Sequence, residues 1–519
     1  MLFTVDSMTQ IEENALNTLP LNWQLLGAAI GILALSAVEV DADATNAFLD
    51  DIALAREALE RIHPGYERYT AISELDALWQ DLEQQAKEGL TQDEFYLGLS
   101  RVLAAIRCDH TKAELTDEME AQRDEQPVYL PFTFRLFDDE QDQTRMYVDK
   151  SSDERLARGD EILLIDGDPV AERVAAVAEY VPVDGYTDHV KIHQMSRPGE
   201  FLGTDFEHFD ALINPPDELV RLKVKKQDGS QLDLDADRLT WSQSQALTGK
   251  PRRRNFSDED AVTVQFPAES VAVLNVNTFV NYRTPVKPKK VYRDVFAKIK
   301  ERGTQTLIVD LRQNGGGSVD AQHSLIRWII NAPIAPVRDV RVKTIDLSGL
   351  VDHLSTWEPA ALKLKASYFH ELDDGWYSLK PRYGGAGDAL KPVSQSFDGK
   401  VIVLTSAQNS SGAASFMGAM LESGRATLVG ERTGGSQEGP TAGLIYFLTL
   451  PNSKIVVRVP AHLTLQAISN PEFGQGFNPD IEVNETVETW LARKDPALER
   501  ALALAAGSEN APHDALQGL

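Results

Sequence analysis

Twice in its C-terminal half the chain runs from an apolar, β-branched segment through a polar or glycine-rich turn into a helix, and this alternation narrows the possible folds more than any other feature. The first unit is a strand over 306–310, three glycines at Gly315, Gly316 and Gly317, then a helix over 318–330. The second is a strand over 401–404, a turn of small polar residues over 406–412, then a helix over Ser411–Ser423. Phe416, Ala419 and Met420 share one face of that helix, and Gly424 ends it. Val271–Val276 and 427–429 read as further strands, and 292–302 as a further helix. Strands joined through helices need crossover connections and a sheet covered by those helices, so the fold class is α/β. Segments 444–450 and 454–459 pair as a hairpin across Pro451, Asn452 and Ser453.

The remaining chain follows other patterns. Residues 45–125 have helical periodicity: Phe48, Ile52, Ala55, Leu59 and Ile62 recur on one face, a second helix runs over 72–87, and Thr91 caps a third over 95–106. From Val128 the pattern alternates as in strands, with a tight Asp166-Gly167 hairpin turn. Residues 126–245 are therefore a β-rich domain, residues 246–265 a charged linker, 335–398 an irregular aromatic-rich insertion in a core spanning 266–500, and 501–519 a disordered tail. Near the N-terminus, the apolar run Leu25 to Val38 is too short for a comfortable membrane span but suits a signal-peptide core. Ala42-Asp43-Ala44 offers a cleavage site, so residues 1–44 read as a leader. The acidic Asp6, Glu12 and Glu13 ahead of it keep a buried helix open as the alternative.

Composition excludes some functions. Acidic residues number 79 against 51 basic, a net charge of −28, which argues against nucleic acid as a main partner. Cys108 is the only cysteine, so no intrachain disulfide forms.

Several residues carry possible chemistry. Ser410 and Ser411 stand at a helix N-terminus, where free N–H groups and the dipole favour a developing anion; a plain N-cap serine is the simpler alternative. The Gly315–Gly317 turn suits half of an oxyanion hole, or merely a strand-to-helix turn; no Lys-Ser/Thr follows, so it is not a nucleotide P-loop. His110, in Cys108-Asp109-His110-Thr111, is a candidate general base or a structural histidine. Glu472 lies in a turn-rich segment before Asp480.

GDEILLIDGDPV at 159–170 resembles a PDZ domain, with the strand LVRLKVKKQDGSQ following after an insertion. DLRQNGGGS at 310–318, the segment from Thr405 to Gly435, and GQGFNPDIEV at 474–483 together resemble the C-terminal-processing (tail-specific) serine peptidases, over roughly residues 45–490. The resemblance implies a crotonase/ClpP-like αββ catalytic core with an N-terminal helical cap and a PDZ-like domain. One branch of that family uses a Ser–Lys dyad; the dyad position here is Ser436, so the chain looks closer to the tricorn-core branch with Ser, His and Glu. It implies Ser411 as nucleophile, His110 as base, Gly316 and Gly412 as oxyanion-hole amides, and Glu472 as the carboxylate that orients His110, with Asp109 the competing orienting group. No metal, nucleotide or other cofactor is implied. The expected activity is cleavage of extended or C-terminal segments of protein or peptide substrates in the periplasm or another extracytoplasmic space, with membrane contact only through an uncleaved leader. The alternative is a catalytically inactive peptide- or apolar-ligand-binding protein on the same scaffold.

Overall fold

The computed structural model describes residues 42–507, apart from 140, 142, 198–203 and 249–253. Residues 1–41 of the expected leader and 508–519 of the expected tail lie outside the described residues. Among those described, no helix is long and apolar enough to cross a membrane.

The two strand–turn–helix units build one six-stranded sheet. Its strands are β1 (Val262–Ala268), β2 (Val271–Val276), β3 (Thr306–Asp310), β4 (Lys400–Thr405), β5 (Ala426–Gly430) and β6 (Ile481–Glu482), in that spatial order. Only β1 is antiparallel to its neighbour; the rest run parallel. The period of two along each strand sorts the side chains. Ala272, Leu274, Leu307, Val309, Val401 and Val403 face the helices Pro288–Glu301, Val319–Ile329 and Ser411–Ser423 through Tyr292, Phe296, Leu325, Phe416 and Met420. Val271, Val273, Ile308, Ile402 and Leu404 face Ala497 and Ala501 of the last helix, Pro496–Ala505. Both faces are thus covered, as a parallel sheet requires. Phe416 is fully buried here, and truncating it to Ala would cost about 3–5 kcal/mol.

Residues 42–125 form four helices, α1 (Ala42–Ile62), α2 (Ile72–Glu88), α3 (Gln92–Ala105) and α4 (Asp117–Glu125). Ala42, Asp43 and Ala44 occupy the first turn of α1. Thr91 and Glu94 form a reciprocal capping box on α3. Strands Phe132–Asp138, Thr144–Ser151, Glu161–Ile165, Leu219–Lys225 and Gln231–Asp237 make an antiparallel sheet in that order. Asp166 and Gly167 both take positive φ in the expected tight turn.

Three boundaries differ from expectation. Residues 262–265 belong to strand β1 rather than to a linker, because Val262 and Val264 pack against the helix-side core. The stretch 335–398 is not irregular. It contributes Val337–Val342, Leu354–Ser355, Phe369–Glu371 and Tyr377–Leu379, and Val340, Val342, Phe369 and Leu379 form a small core of their own. Residues 501–505 are helical, held by the burial of Ala501 under the sheet.

One pairing matters most for function. The two-residue strand Ala113–Glu114 adds to the hairpin Ile445–Thr449/Val456–Pro460, with Ala113 opposite Val457. That pairing, with Arg458 N–H donating to Lys112 O (2.9 Å), fixes the segment just after His110 to the C-terminal hairpin.

Candidate active site

Three separate loops meet at the carboxyl ends of β3 and β4, the usual place for a site in such a sheet. Asn409, wholly buried, ties two of them together. Its Nδ2 donates to Leu311 O (2.6 Å) and Asn314 O (3.0 Å), and its carbonyl accepts from Gly434 and Gly435 N–H (3.0 and 2.9 Å). Ser406 Oγ adds a bond to Arg312 O (2.6 Å). Arg312 in turn chelates Asp310 and reaches Asp495 at the start of the last helix (2.7 and 2.8 Å), so the Asp-Leu-Arg segment braces the glycine turn.

The glycines make room for the serine bend. A Cβ on Gly316 would lie 2.7 Å from Gly412 N and 2.9 Å from Ser411 Cβ, and Gly316 has φ +114°. A Cβ on Gly435 would lie 3.0 Å from Ser410 Cα. Ser411 itself sits at φ +48°, in the left-handed region that non-glycine residues rarely occupy. Such a strained residue at a helix start, with its Cβ against Gly316, is a feature that clusters at active sites.

The helical region supplies the third side. Ser410 is at the N-cap position but its hydroxyl caps nothing; instead Ser410 Oγ donates to Asp109 Oδ2. Asp109 Oδ1 abuts His110 Nδ1 as an ion pair, off the line of a hydrogen bond. The corner at Cys108–Thr111 and the bend at Ser410–Ser411 are therefore in contact. A further loop closes over them: Gly185 N–H donates to Arg107 O (3.0 Å), Arg107 Nη1 donates to Gly185 O (2.9 Å), and Val183 and Val190 pack on Ala407. This brings in Asp184, 3% exposed, whose carboxylate faces the Asp109 backbone N–H and whose Oδ2 has no hydrogen-bond partner.

Charge in the corner is strongly coupled. Burial pulls the His110 imidazole toward neutrality, but the charge and contact of Asp109 outweigh it and raise its pKa well above the ordinary value. Burial likewise opposes ionisation of Asp109, yet His110 and the Ser410 hydroxyl hold its carboxyl well below the usual range. Asp184 goes the other way: burial, then the Asp109 charge, push it up to about 8.

The expected site residues do not all converge. Ser411, Gly412, Gly316, Asp109 and His110 gather at one junction. Glu472 does not join them. It is exposed, accepts weakly from Asn478 Nδ2 (3.4 Å), and its backbone N–H is held by Gln437, because the turn at 471–476 is pinned elsewhere by Glu438, which accepts from Gly474 N–H (2.9 Å). The carboxylates at His110 are Asp109 and Asp184. The Gly316 amide is nearby but donates to Asn314 Oδ1 (2.9 Å), so an oxyanion could use it only once that bond opens. Ser436, at the dyad-lysine position, is buried and accepts from Tyr69 Oη (3.2 Å). Asp184 carries no motif; it stands in an Asp-Gly turn, and only the fold brings it to His110.

Residues 270–483 match the profile of peptidase family S41. Mature CPAF shares the fold with a TM-score of 0.59 at 14% identity, covering 90% of this chain and 99% of its own. CPAF complexed with lactacystin matches at 0.58 and 14% identity, covering 89% and 98%. The photosystem II D1 C-terminal processing protease matches at 0.41 and 14% identity, covering 90% and 98%. No curated protein matches the chain in sequence.

Proposed function

The chain belongs, through residues 270–483, to peptidase family S41 and is a serine-type peptidase acting on proteins or peptides, and on that premise we propose that Ser411, His110 and Asp109 are its catalytic set. The observation that carries this reading is the bond from Ser410 to Asp109, which seats the His110 corner on the serine bend. Ser411 Oγ attacks the substrate carbonyl while His110 takes its proton, later passing it to the leaving amine. Asp109 at His110 Nδ1 orients the ring and stabilises the imidazolium, the role expected of Glu472 from sequence. The Gly412 amide at the helix start and the Gly316 amide, released from Asn314, receive the oxyanion.

Substrate arrives as an extended segment. The antiparallel sheet over 132–237 acts as the PDZ-like module and adds a peptide strand at an open edge, favouring segments near a C-terminus. The chain works outside the cytoplasm after loss of its leader; a mature N-terminus read from a periplasmic fraction checks this.

Degradation of unfolded casein by wild type, Ser411→Ala and His110→Ala tests the assignment. Both variants should lose at least about two orders of magnitude in kcat/KM. A fluorophosphonate probe should label the wild type at Ser411 and leave Ser411→Ala unlabelled. Undiminished cleavage by His110→Ala would remove the base from this scheme.

A further inference from the structure

Beside the serine, four groups converge that the hydrolytic scheme does not need together. One ligand atom each from Cys108, Asp109, His110 and Asp184 lies within 4.8 Å of the others. Cys108 and Asp184 are each 3% exposed, and Cys108 Sγ lies against the His110 ring as well as 3.6 Å from Thr441 O. Asp184 Oδ2 faces this cluster with its hydrogen-bonding capacity unmet. A buried carboxylate oxygen without a donor is costly, and a native fold rarely leaves one without a reason.

We propose that Cys108, Asp109, His110 and Asp184 form a site for a zinc-class divalent cation, and that the bound cation silences the peptidase reversibly. The donor set decides the class. One thiolate, one imidazole and two carboxylates suit a borderline-soft tetrahedral ion and not calcium or magnesium, which take oxygen alone. Zinc bonds of about 2.0–2.3 Å need ligand atoms roughly 3.3–3.8 Å apart, so the widest separations must contract by about 1–1.5 Å while the Asp109–His110 contact opens. The loop bearing Asp184 is held by Arg107, by the bond from Tyr186 N–H to Gly474 O (2.6 Å) and by Val183 and Val190 on Ala407, so the adjustment falls on the side-chain torsions of the four ligands. Binding exchanges protons only: the Cys108 thiol and the Asp184 carboxyl give theirs to water, and no group changes oxidation state. The inhibitory half of the proposal rests on His110 being the general base, since the cation takes up the imidazole or the carboxylate that orients it.

The test uses the full chain, stripped with EDTA and titrated with Co²⁺ as a spectroscopic stand-in, then with Zn²⁺ as competitor. The wild type should give a near-ultraviolet thiolate-to-cobalt charge-transfer band that Zn²⁺ abolishes. Cys108→Ser should lose the band, and Asp184→Asn should weaken Zn²⁺ binding by at least about tenfold. Peptide hydrolysis should stop as Zn²⁺ saturates the site and return with EDTA. No band in the wild type overturns the site, whatever the variants do. A band that persists in folded Cys108→Ser also overturns it. A band with hydrolysis unchanged at saturating Zn²⁺ overturns the inhibitory role and leaves the site standing. A chain that binds metal but never cleaves would instead refute the peptidase assignment to these residues.

Discussion

Replacing Asp184 by Asn should stabilise the metal-free protein, and increasingly so as pH rises. The free carboxyl titrates near about 3.9, whereas in the fold burial and the Asp109 charge, against the opposing charges of His110 and Arg68, push Asp184 up to about 8. The folded pKa is the higher one, so the native state binds the extra proton, and stability is lost as pH climbs through the window between the two values. Four pH units at about 1.4 kcal/mol each set a ceiling near 6 kcal/mol. Relaxation of the loop and entry of water once the group ionises reduce this, and about 2 kcal/mol is the expected net penalty at about pH 9. Asn has the same shape and no charge to bury, so it escapes the penalty. For a chain of 519 residues the unfolding entropy is about 1 kcal/mol per kelvin, so the gain is about 2 °C in melting temperature. Scanning calorimetry in EDTA would compare the two proteins at about pH 4 and about pH 9; the difference should be small at the first, where the window is only being entered, and largest at the second. A variant destabilised equally at both would mean that Asp184 is ionised and well paired in the fold, and the reasoning would fail.

The other predictions concern the same junction. Because Asp109 raises the His110 pKa, and the base must be neutral to work, kcat/KM should climb with pH through a midpoint above about 6.5; Asp109→Asn should move that midpoint down while lowering the plateau. Gly316→Ala should abolish casein cleavage and cost about 1–3 kcal/mol in urea unfolding, since its Cβ would lie 2.7 Å from Gly412 N at a φ of +114°. Asp495→Ala removes both an N-cap for Leu498 N–H and the far partner of Arg312; it should cost about 1–2 kcal/mol and lower kcat more than it raises KM. Phe473, 55% exposed and set 5.3 Å from the Tyr69 ring, should matter for substrate docking, so Phe473→Ala should raise KM for apolar peptides with kcat little changed.

Four strands of the central sheet, β2 to β5, were legible in sequence because they are short β-branched runs with glycine or polar turns behind them, and local pattern there agrees with the final packing; β1 and the two-residue β6 carry no such signal. The Ser411–Ser423 helix and its Gly424 stop match to the residue. The stretch 335–398 was opaque for the opposite reason: its strands are two to six residues long, and their partners, such as Leu463–Gln466, lie far along the chain. In the site, Ser411 and the glycine turn announce themselves by context. Asp184 could not, because an Asp-Gly pair reads as a turn anywhere. Glu472 looked right by distance along the chain, yet Glu438 took hold of that turn and faced it outward.

Ser411, the proposed nucleophile, lies inside the 270–483 stretch, but His110 and Asp109 come from well before it and are stapled to it by the Ala113–Val457 pairing. A fragment limited to the family-matching stretch would thus carry a serine without a proton acceptor. Supplying residues 42–125 as a second polypeptide, able to dock its short strand on the C-terminal hairpin, is the most economical way to restore turnover, which makes the enzyme a natural split reporter.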